Sequence, residues 1–159
     1  MNLYLCWGFD VKIIVDANTL SAFSKNTDSL HNDFKPVLDC VRNGYAKLVY
    51  GGEKYLAELR KVGSALNLFS ELNRSRKAIK LDDNEVDTSQ KEIEGKITNP
   101  AFNDPHIIAI VIVGRCGLIC SKDKSAHEFF KQKDLYPKRF RRPSIYSSLR
   151  NKNLLPRHS

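Results

Sequence analysis

The sequence has no apolar stretch of membrane-spanning length. No segment reaches the roughly 18 uninterrupted apolar residues that a transmembrane helix needs. The first residues also lack the cationic segment, apolar segment and small-residue cleavage site of a secretory signal. We therefore predict a cytoplasmic protein with no membrane partner.

Cysteine is also scarce, and the pattern of cysteines excludes the common metal and redox motifs. The four cysteines are Cys6, Cys40, Cys116 and Cys120, and they do not form the paired motifs of a zinc site or a redox-active pair. Three of them lie in apolar surroundings, so we predict buried free thiols in a reducing compartment. Internal repeats and low-complexity tracts are absent as well, and this excludes repeat architectures.

The chain is long enough for one domain, and its charge is unevenly distributed. With 159 residues, 42% of them hydrophobic, it can bury one sizeable core. Of 26 basic and 18 acidic residues, nine basic residues and one acidic residue fall in 131–159, which leaves 17 of each in the remainder. This asymmetry favours a polyanionic partner, most simply nucleic acid, although a solvated basic tail without a partner is the alternative.

Strand-like and helix-like patterns alternate along the sequence. Short apolar runs predict strands over 11–15, 48–50, 78–81 and 118–120. Helical spacing and helix-start residues predict a short helix after Asp16, an exposed helix over 82–96, and further helices over approximately 33–43, 53–61, 64–73, 105–113 and 125–131. The alternation predicts an α/β fold of three layers, α/β/α, with a central parallel sheet.

The alternation stops after Leu135. The remaining residues are basic and contain half of the six prolines, Pro137, Pro143 and Pro156. We therefore predict a domain over residues 1–135, followed by a basic, proline-containing tail over residues 136–159.

The segment from Asn103 to Asp123 is the most informative part of the chain. Asp104 followed by Pro105 predicts a helix start, because Asp can accept the free N–H bonds and Pro needs none at the first helical position. The following residues are mostly β-branched, which favours a strand, but a length of roughly ten residues before the glycine break favours a buried helix. Ser121 and Asp123 then follow a short buried strand.

Three aspartates occupy comparable places in this pattern. Asp16 follows the first strand, Asp104 begins a helix and Asp123 follows the last strand. Each alone is common in loops and caps, but carboxylates that meet at the end of a sheet repel one another unless a divalent cation neutralises them. The aspartates therefore point to Mg²⁺ or Mn²⁺ as the cofactor.

Three motifs in this order resemble the PIN domain, a family of small metal-dependent ribonucleases. IIVDANTL at 13–20 is similar to the opening strand and first acid of the family, and NDPHIIAIVIV at 103–113 is similar to its third acid and the helix that follows. LICSKD at 118–123 is similar to the last strand, hydroxyl residue and fourth acid. The resemblance covers most of residues 11–130 and implies a PIN-like fold.

The family also has a second acid, usually Glu, on the helix after the second strand. Glu53 and Glu58 are the candidates, and they cannot both face one site because five helical positions correspond to about 500°, a net rotation of about 140°. We choose Glu58, because it flanks the face that is expected to be buried, formed by Tyr55, Leu56, Leu59 and Val62.

The resemblance also implies a mechanism. Asp16, Glu58, Asp104 and Asp123 would hold one or two Mg²⁺ or Mn²⁺ ions that activate water for in-line attack on an RNA phosphodiester. Asn18 and Ser121 would orient water or a carboxylate, with turn and cap roles as the equal alternative. His106 and His127 flank two of the acids and could act as a general base, but we expect both on helix surfaces, and a metal-bound hydroxide needs no separate base.

The tail would attract the RNA that an acidic site repels. Cations and aromatic residues alternate there, a mixture that can hold phosphates and stack unpaired bases. The cations are Lys138, Arg139, Arg141, Arg142 and Arg150, and the aromatics are Tyr136, Phe140 and Tyr146, which could equally dock the tail onto the domain.

Other functions stay open at this point. A catalytically inactive, RNA-binding or adaptor PIN domain would keep the fold without the chemistry. A phosphoacceptor role for Asp16, as in haloacid-dehalogenase-like phosphatases, is disfavoured because Asn18 stands where those enzymes have a second Asp. The size resembles VapC-like toxins, which implies an antitoxin protein as a partner and a homodimer as the common assembly, although the basic tail departs from the shortest toxins.

Overall fold

The computed structural model describes residues 11–156. Within that part of the chain, five strands form one parallel sheet in the order β3-β2-β1-β4-β5. The strands are β1 (Val11–Val15), β2 (Ala46–Tyr50), β3 (Ala78–Lys80), β4 (Leu118–Cys120) and β5 (Ser144–Tyr146). Helices flank this sheet, which confirms the predicted three-layer α/β fold.

Seven α-helices lie within the described residues. They are α1 (Leu20–Ser24), α2 (His31–Arg42), α3 (Glu53–Arg60), α4 (Gly63–Arg74), α5 (Asp83–Glu94), α6 (Pro105–Gly114) and α7 (Lys124–Phe130). Short 3-10 helices span Ala17–Thr19, Lys133–Leu135 and Leu149–Leu154. Between residues 11 and 156, no helix combines the length and apolar character required to cross a membrane.

The central strands β1 and β4 determine the positions of Asp16 and Ser121, the residues that directly follow them. Ile13, Ile14 and Val15 are fully buried, as expected for a strand that is covered on both faces. Val15 is in register with Cys120, so the residues that follow the two strands leave the sheet side by side at its carboxyl edge. This edge is where ligands bind in open parallel sheets.

The helix α6 confirms that the β-branched run is helical. It packs against α5 on one side and over β1 and β2 on the other, so nearly all of its side chains are buried. Its last residue, Gly114, lies so close to β2 that an added Cβ would be 2.7 Å from Val49 Cγ1. Arg115 then ends the helix in the left-handed conformation, with φ 54°.

The prediction of an exposed helix over 82–96 is partly wrong. The helix α5 exists, and Asp82 caps it by accepting a hydrogen bond from the backbone N–H of Glu85 at 3.1 Å. Its few apolar residues are not exposed, since Val86 and Ile93 are buried in the core. Val86 and Ile93 are seven positions apart, so they lie on the same face of the helix, and this face packs against the molecule.

The prediction of a separate tail after Leu135 is wrong. Residues 144–146 form β5, which pairs in parallel with β4 and extends the sheet. Tyr146 is fully buried, and its hydroxyl donates a hydrogen bond to the carbonyl of Asp33 at 2.6 Å. The strand escaped prediction because it is only three residues long and lies between basic and polar residues, with no local pattern of its own.

The prediction of buried free thiols is confirmed for three of the cysteines. Cys40, Cys116 and Cys120 are buried and free. Burial raises the pKa of the Cys40 thiol to about 11, so this thiol stays protonated at neutral pH. Cys6, for which the same prediction was made, lies outside the described residues.

Candidate metal centre

Asp16 lies at the carboxyl end of β1 and is fully buried. Its backbone N–H donates to the carbonyl of Cys120 at 2.8 Å, which fixes the residue beside the end of β4. The Ser121 hydroxyl donates to Asp16 Oδ2 at 2.9 Å, while Asp16 Oδ1 has no hydrogen-bond partner. A buried carboxylate oxygen without a partner is costly, and this one is available to a ligand.

Asp123 is held at the start of α7 by its own helix. Its Oδ1 accepts hydrogen bonds from the backbone N–H of Ser125 at 3.1 Å and from the Ser125 hydroxyl at 2.6 Å. Its Oδ2 accepts a longer bond, 3.4 Å, from the Asn18 side-chain amide. The helix start thus orients this half-buried carboxylate toward the turn that follows β1.

Asp104 begins α6 as predicted, but it does not cap the helix. It occupies the cap position without any side-chain hydrogen bond to the backbone of the first turn, so that part of the prediction is wrong. Pro105 at the first helical position leaves one fewer free N–H group at this helix start. The carboxylate of Asp104 is therefore free to point toward the other two aspartates.

The three aspartates converge on one point. One carboxylate oxygen from each of Asp16, Asp104 and Asp123 lies within 4.8 Å of the others. Burial, followed by the negative charge of Asp104, raises the pKa of Asp16 from 3.8 to about 7, although the Ser121 hydrogen bond opposes the shift. Burial also raises the pKa of Asp104. Both shifts arise chiefly from burial, with smaller contributions from neighbouring carboxylates, so the ionised form of each aspartate is disfavoured.

Glu58 lies near Asp104, outside the group of three aspartates, and contacts a histidine. Its Oε1 is 2.5 Å from Nε2 of His106, but the geometry is not that of a hydrogen bond, so both atoms lack hydrogen-bond partners. His106 is only 1% exposed, so the expectation that it lies on a helix surface is wrong. His127 is half-buried, with Nε2 3.1 Å from the carbonyl of Ser121.

Glu58, rather than Glu53, faces the candidate site. A cavity of about 290 Å³ is lined by Glu58 together with Asp104 and Asp123. Glu53 is exposed, and its backbone N–H is bound by the Asp87 side chain at 3.1 Å. The geometry therefore favours Glu58 as the fourth acid, at the side of the site occupied by His106.

Lys54 and Tyr55 also contribute to the site, and the sequence analysis did not identify them. Lys54 lines the same cavity, lowers the pKa of Asp104 by its charge, and donates to the carbonyl of Asn103 at 2.6 Å. Tyr55 donates to the carbonyl of Val15 at 2.6 Å, which anchors α3 next to Asp16. Lys54 could have been found, because it lies four positions before Glu58 on the same helical face.

The predicted RNA-binding cations do not surround this site as a group. Arg139, Arg141 and Arg142 line a cavity together with Val11, Leu118 and Ser144, the first residues of β1, β4 and β5. They therefore lie at the amino edge of the sheet, opposite the acids. Lys138 lines a neighbouring cavity, whereas Arg150 belongs to the 3-10 helix that follows the carboxyl end of β5.

The aromatic residues of this segment mostly serve packing. Tyr136 and Tyr146 are buried, at 4% and 0% exposure, so neither can stack an unpaired base. Tyr136 donates to the carbonyl of Phe130 at 2.6 Å. Phe140 stacks on Tyr136 with centroids 5.6 Å apart and is the one of the three that remains partly accessible. The docking alternative is therefore confirmed for the two tyrosines.

Comparison with known proteins adds no relatives to this description. No protein-family model, no curated protein and no solved structure significantly matches the chain.

Proposed function

We propose that the protein is a metal-dependent endoribonuclease that cleaves single-stranded RNA, with Mg²⁺ or Mn²⁺ as its cofactor. The observation that carries this proposal is the convergence of Asp16, Asp104 and Asp123 within 4.8 Å. The PIN-like motifs are consistent with the same function, and their order along the chain motivates the choice of RNA as the substrate.

The residues present suit a hard divalent cation. All three carboxylates offer oxygen, the donor that Mg²⁺ and Mn²⁺ prefer. The free Oδ1 of Asp16 supplies a donor atom that nothing else in the described structure uses. A bound cation would also offset the burial, and the smaller charge repulsion, that raise the pKa values of Asp16 and Asp104.

The proposed chemistry divides between the cation and the side chains. When bound, the cation would lower the pKa of water and neutralise charge on the scissile phosphate. Ser121 fixes the carboxylate of Asp16, and Asn18 contacts that of Asp123, so both act as positioning residues. Lys54 places a positive charge at the rim of the cavity, where an RNA phosphate would approach.

An aromatic surface next to the acids supports a single-stranded substrate. Phe102 and Phe129 line the cavity with Asp104 and Asp123, and their rings stack 4.3 Å apart. Phe129 is half-buried, so part of this pair is accessible to an unpaired base, and aromatic stacking is a common way to hold single strands. A duplex would keep its bases away from this surface.

The toxin role and the inactive adaptor role are weaker proposals. Asp16, Asp104 and Asp123 are adjacent, and Glu58 lines the same cavity as two of them, which favours activity over a purely RNA-binding role. An antitoxin protein would have to cover the acidic edge, and a homodimer would have to leave it open to RNA.

Cleavage of a labelled single-stranded RNA tests the activity. The wild-type protein should cut it with Mn²⁺ and not with EDTA. Asp16→Asn and Asp104→Asn should each lose more than about 100-fold in rate, since loss of an outer-sphere residue alone typically costs 10- to 100-fold. Glu94→Gln, an exposed acid on α5, is the matched control and should cleave normally.

Calorimetric titration with Mn²⁺ separates metal binding from catalysis. Binding should weaken in Asp104→Asn and persist in Glu94→Gln. The same titration on Glu58→Gln and Glu53→Gln distinguishes the two candidate acids, and only the former should weaken binding. Cleavage of equal rate in EDTA, or unchanged Mn²⁺ affinity in Asp104→Asn, would contradict the proposal.

A further inference from the structure

A continuous basic groove lies at the amino edge of the sheet. Three adjacent cavities, of about 780, 620 and 440 Å³, share the two arginines Arg141 and Arg142. We call them together the amino-edge groove. Its other cations are Arg115, Lys131, Lys133, Lys138 and Arg139, and the one acid among the described residues that line it is Asp134.

Three of the arginines in the groove have no partner within the described structure. The side chains of Arg115, Arg139 and Arg141 are exposed and make no hydrogen bond or ion pair with residues 11–156. Other cations at the same edge are engaged, because Lys47 and Lys77 donate to the carbonyls of Arg76 and Arg42. The free arginines are therefore available to an external anion.

Two of these arginines occupy an unfavourable backbone conformation. Arg115 has φ 54° and Arg139 has φ 69°, both in the left-handed region. Helices usually end with glycine in this conformation, yet α6 ends with Arg115 although Gly114 directly precedes it. Arg76, which lies outside the groove, has the same conformation with φ 61°, so the backbone alone does not assign a role to these two side chains.

The shape of the groove fits an extended chain better than a small anion. Three joined cavities are larger together than a single phosphate requires. Phe140 lines two of them, and its ring lies parallel to that of Tyr136, at an interplanar angle of 10°. Arginines interspersed with an accessible aromatic ring suit a strand with phosphates and exposed bases.

We infer that the amino-edge groove binds the phosphodiester backbone of a single-stranded RNA at a distance from the acidic centre, so that one strand contacts both edges of the sheet. This inference rests on the proposed function for the identity of its ligand. The five residues of β1, at about 3.3 Å each, separate the edges by roughly 17 Å. An RNA strand has to run around the surface of the protein, so this distance is a minimum that corresponds to at least about five nucleotides at a stacked spacing of about 3.4 Å.

Binding of single-stranded RNA in EDTA tests the groove without cleavage. Fluorescence anisotropy as a function of NaCl concentration gives the slope of log K against log[salt]. The double variant Arg115→Gln/Arg141→Gln should reduce this slope by about 1.4, since each phosphate contact on a single strand contributes about 0.7. The matched control Lys91→Gln/Lys96→Gln removes two exposed cations outside the groove and should keep the wild-type slope.

The outcomes separate this inference from the proposed function. An unchanged slope in Arg115→Gln/Arg141→Gln, or no RNA binding by the wild-type protein, would overturn the inference. Equal displacement of the RNA by polyglutamate of matched charge would do the same, because the groove would then accept any polyanion. Mn²⁺ titration of the same samples reports on the acidic centre independently, so the two proposals can fail separately.

Discussion

Asp16 lies in an environment that disfavours its ionised form. It is fully buried, one carboxylate oxygen is bound by Ser121, and the other has no hydrogen-bond partner. Burial and the nearby charge of Asp104 raise its pKa to about 7. The ionised carboxylate of Asp16 therefore destabilises the metal-free protein, and the proposed cation would offset this destabilisation.

Asp16→Asn should stabilise the metal-free protein at alkaline pH. Because the pKa of Asp16 is raised on folding from 3.8 to about 7, the folded state retains a proton that the unfolded state has lost between these pH values. The free energy of unfolding of the wild type should thus fall as pH rises through this window. The variant lacks this fall, and its advantage at about pH 8 should reach up to about 4 kcal/mol, at about 1.4 kcal/mol per pKa unit.

Urea unfolding with EDTA at about pH 5 and about pH 8 measures this difference. Asp28→Asn is the control, because hydrogen bonds from Leu30 and Ser21 lower the pKa of Asp28 below 3.8, so its stabilisation is complete at both pH values and the difference from the wild type should not change between them. Added Mn²⁺ should stabilise the wild type more than Asp16→Asn. Parallel pH dependences for the wild type and Asp16→Asn would show that Asp16 does not titrate in this way.

At the scale of secondary-structure elements, the helix α6 links the core to the candidate metal centre. Its first turn carries His106 next to Asp104, and its end packs so closely on β2 that Gly114 has no space for a side chain. The position of Asp104 relative to β1 therefore depends on how α6 rests on the sheet. A substitution at the far end of the helix should therefore lower the free energy of unfolding.

Gly114→Ala should destabilise the protein by about 1 to 3 kcal/mol, the usual cost of excess volume in a packed core. The new Cβ would meet Val49 Cγ1 at 2.7 Å. Gly63→Ala is the matched control, since an added Cβ at the start of α4 has nothing within 4 Å and alanine favours helices. Chemical denaturation compares the two variants. Equal stability of both would mean that α6 can move away from β2 without cost.

The whole molecule has charges of opposite sign at the two edges of its sheet. The acids lie where β1 and β4 end, and the free arginines lie where β4 and β5 begin. The segment from Leu135 onward joins the two edges, because it supplies arginines before β5 and continues to a 3-10 helix beyond it. The fold and the proposed RNA path therefore depend on the same segment.

Tyr146→Ala should destabilise the protein by about 3 to 5 kcal/mol, as expected when a buried aromatic side chain is removed. The variant also loses the hydrogen bond to the carbonyl of Asp33. Leu149→Ala, at a side chain that is 47% exposed, is the control and should cost less than about 1 kcal/mol. Thermal or urea unfolding checks both. A small effect of Tyr146→Ala would restore the interpretation of residues 136–159 as a dispensable tail.

Local patterns were sufficient to predict most of the elements. The predicted strands over 11–15 and 118–120 match β1 and β4, because each is a short apolar run with a clear end. The predicted strand over 48–50 is shorter than β2, since Ala46 and Lys47 are not distinctive in sequence. The strand β5 was not predicted, because it depends on its pairing with β4, a long-range contact that the local sequence does not indicate.

The acidic centre was also predictable, though only in part. Parallel strands end at one edge, so aspartates that follow β1 and β4 must be neighbours. The selection of Glu58 followed from helical geometry, but its contact with the buried His106 did not, because that contact depends on how α3 packs beside α6. The same limitation applies to Lys54, whose role depends on the loop at Asn103.

The sequence by itself determined the α/β alternation, the buried helix α6 and the aspartates at the strand ends, because periodicity, turn residues and strand direction are local properties. Only the tertiary structure decided that residues 144–146 complete the sheet and that the free arginines face away from the acids. Those features arise from contacts between residues far apart in the chain, and no local pattern encodes them.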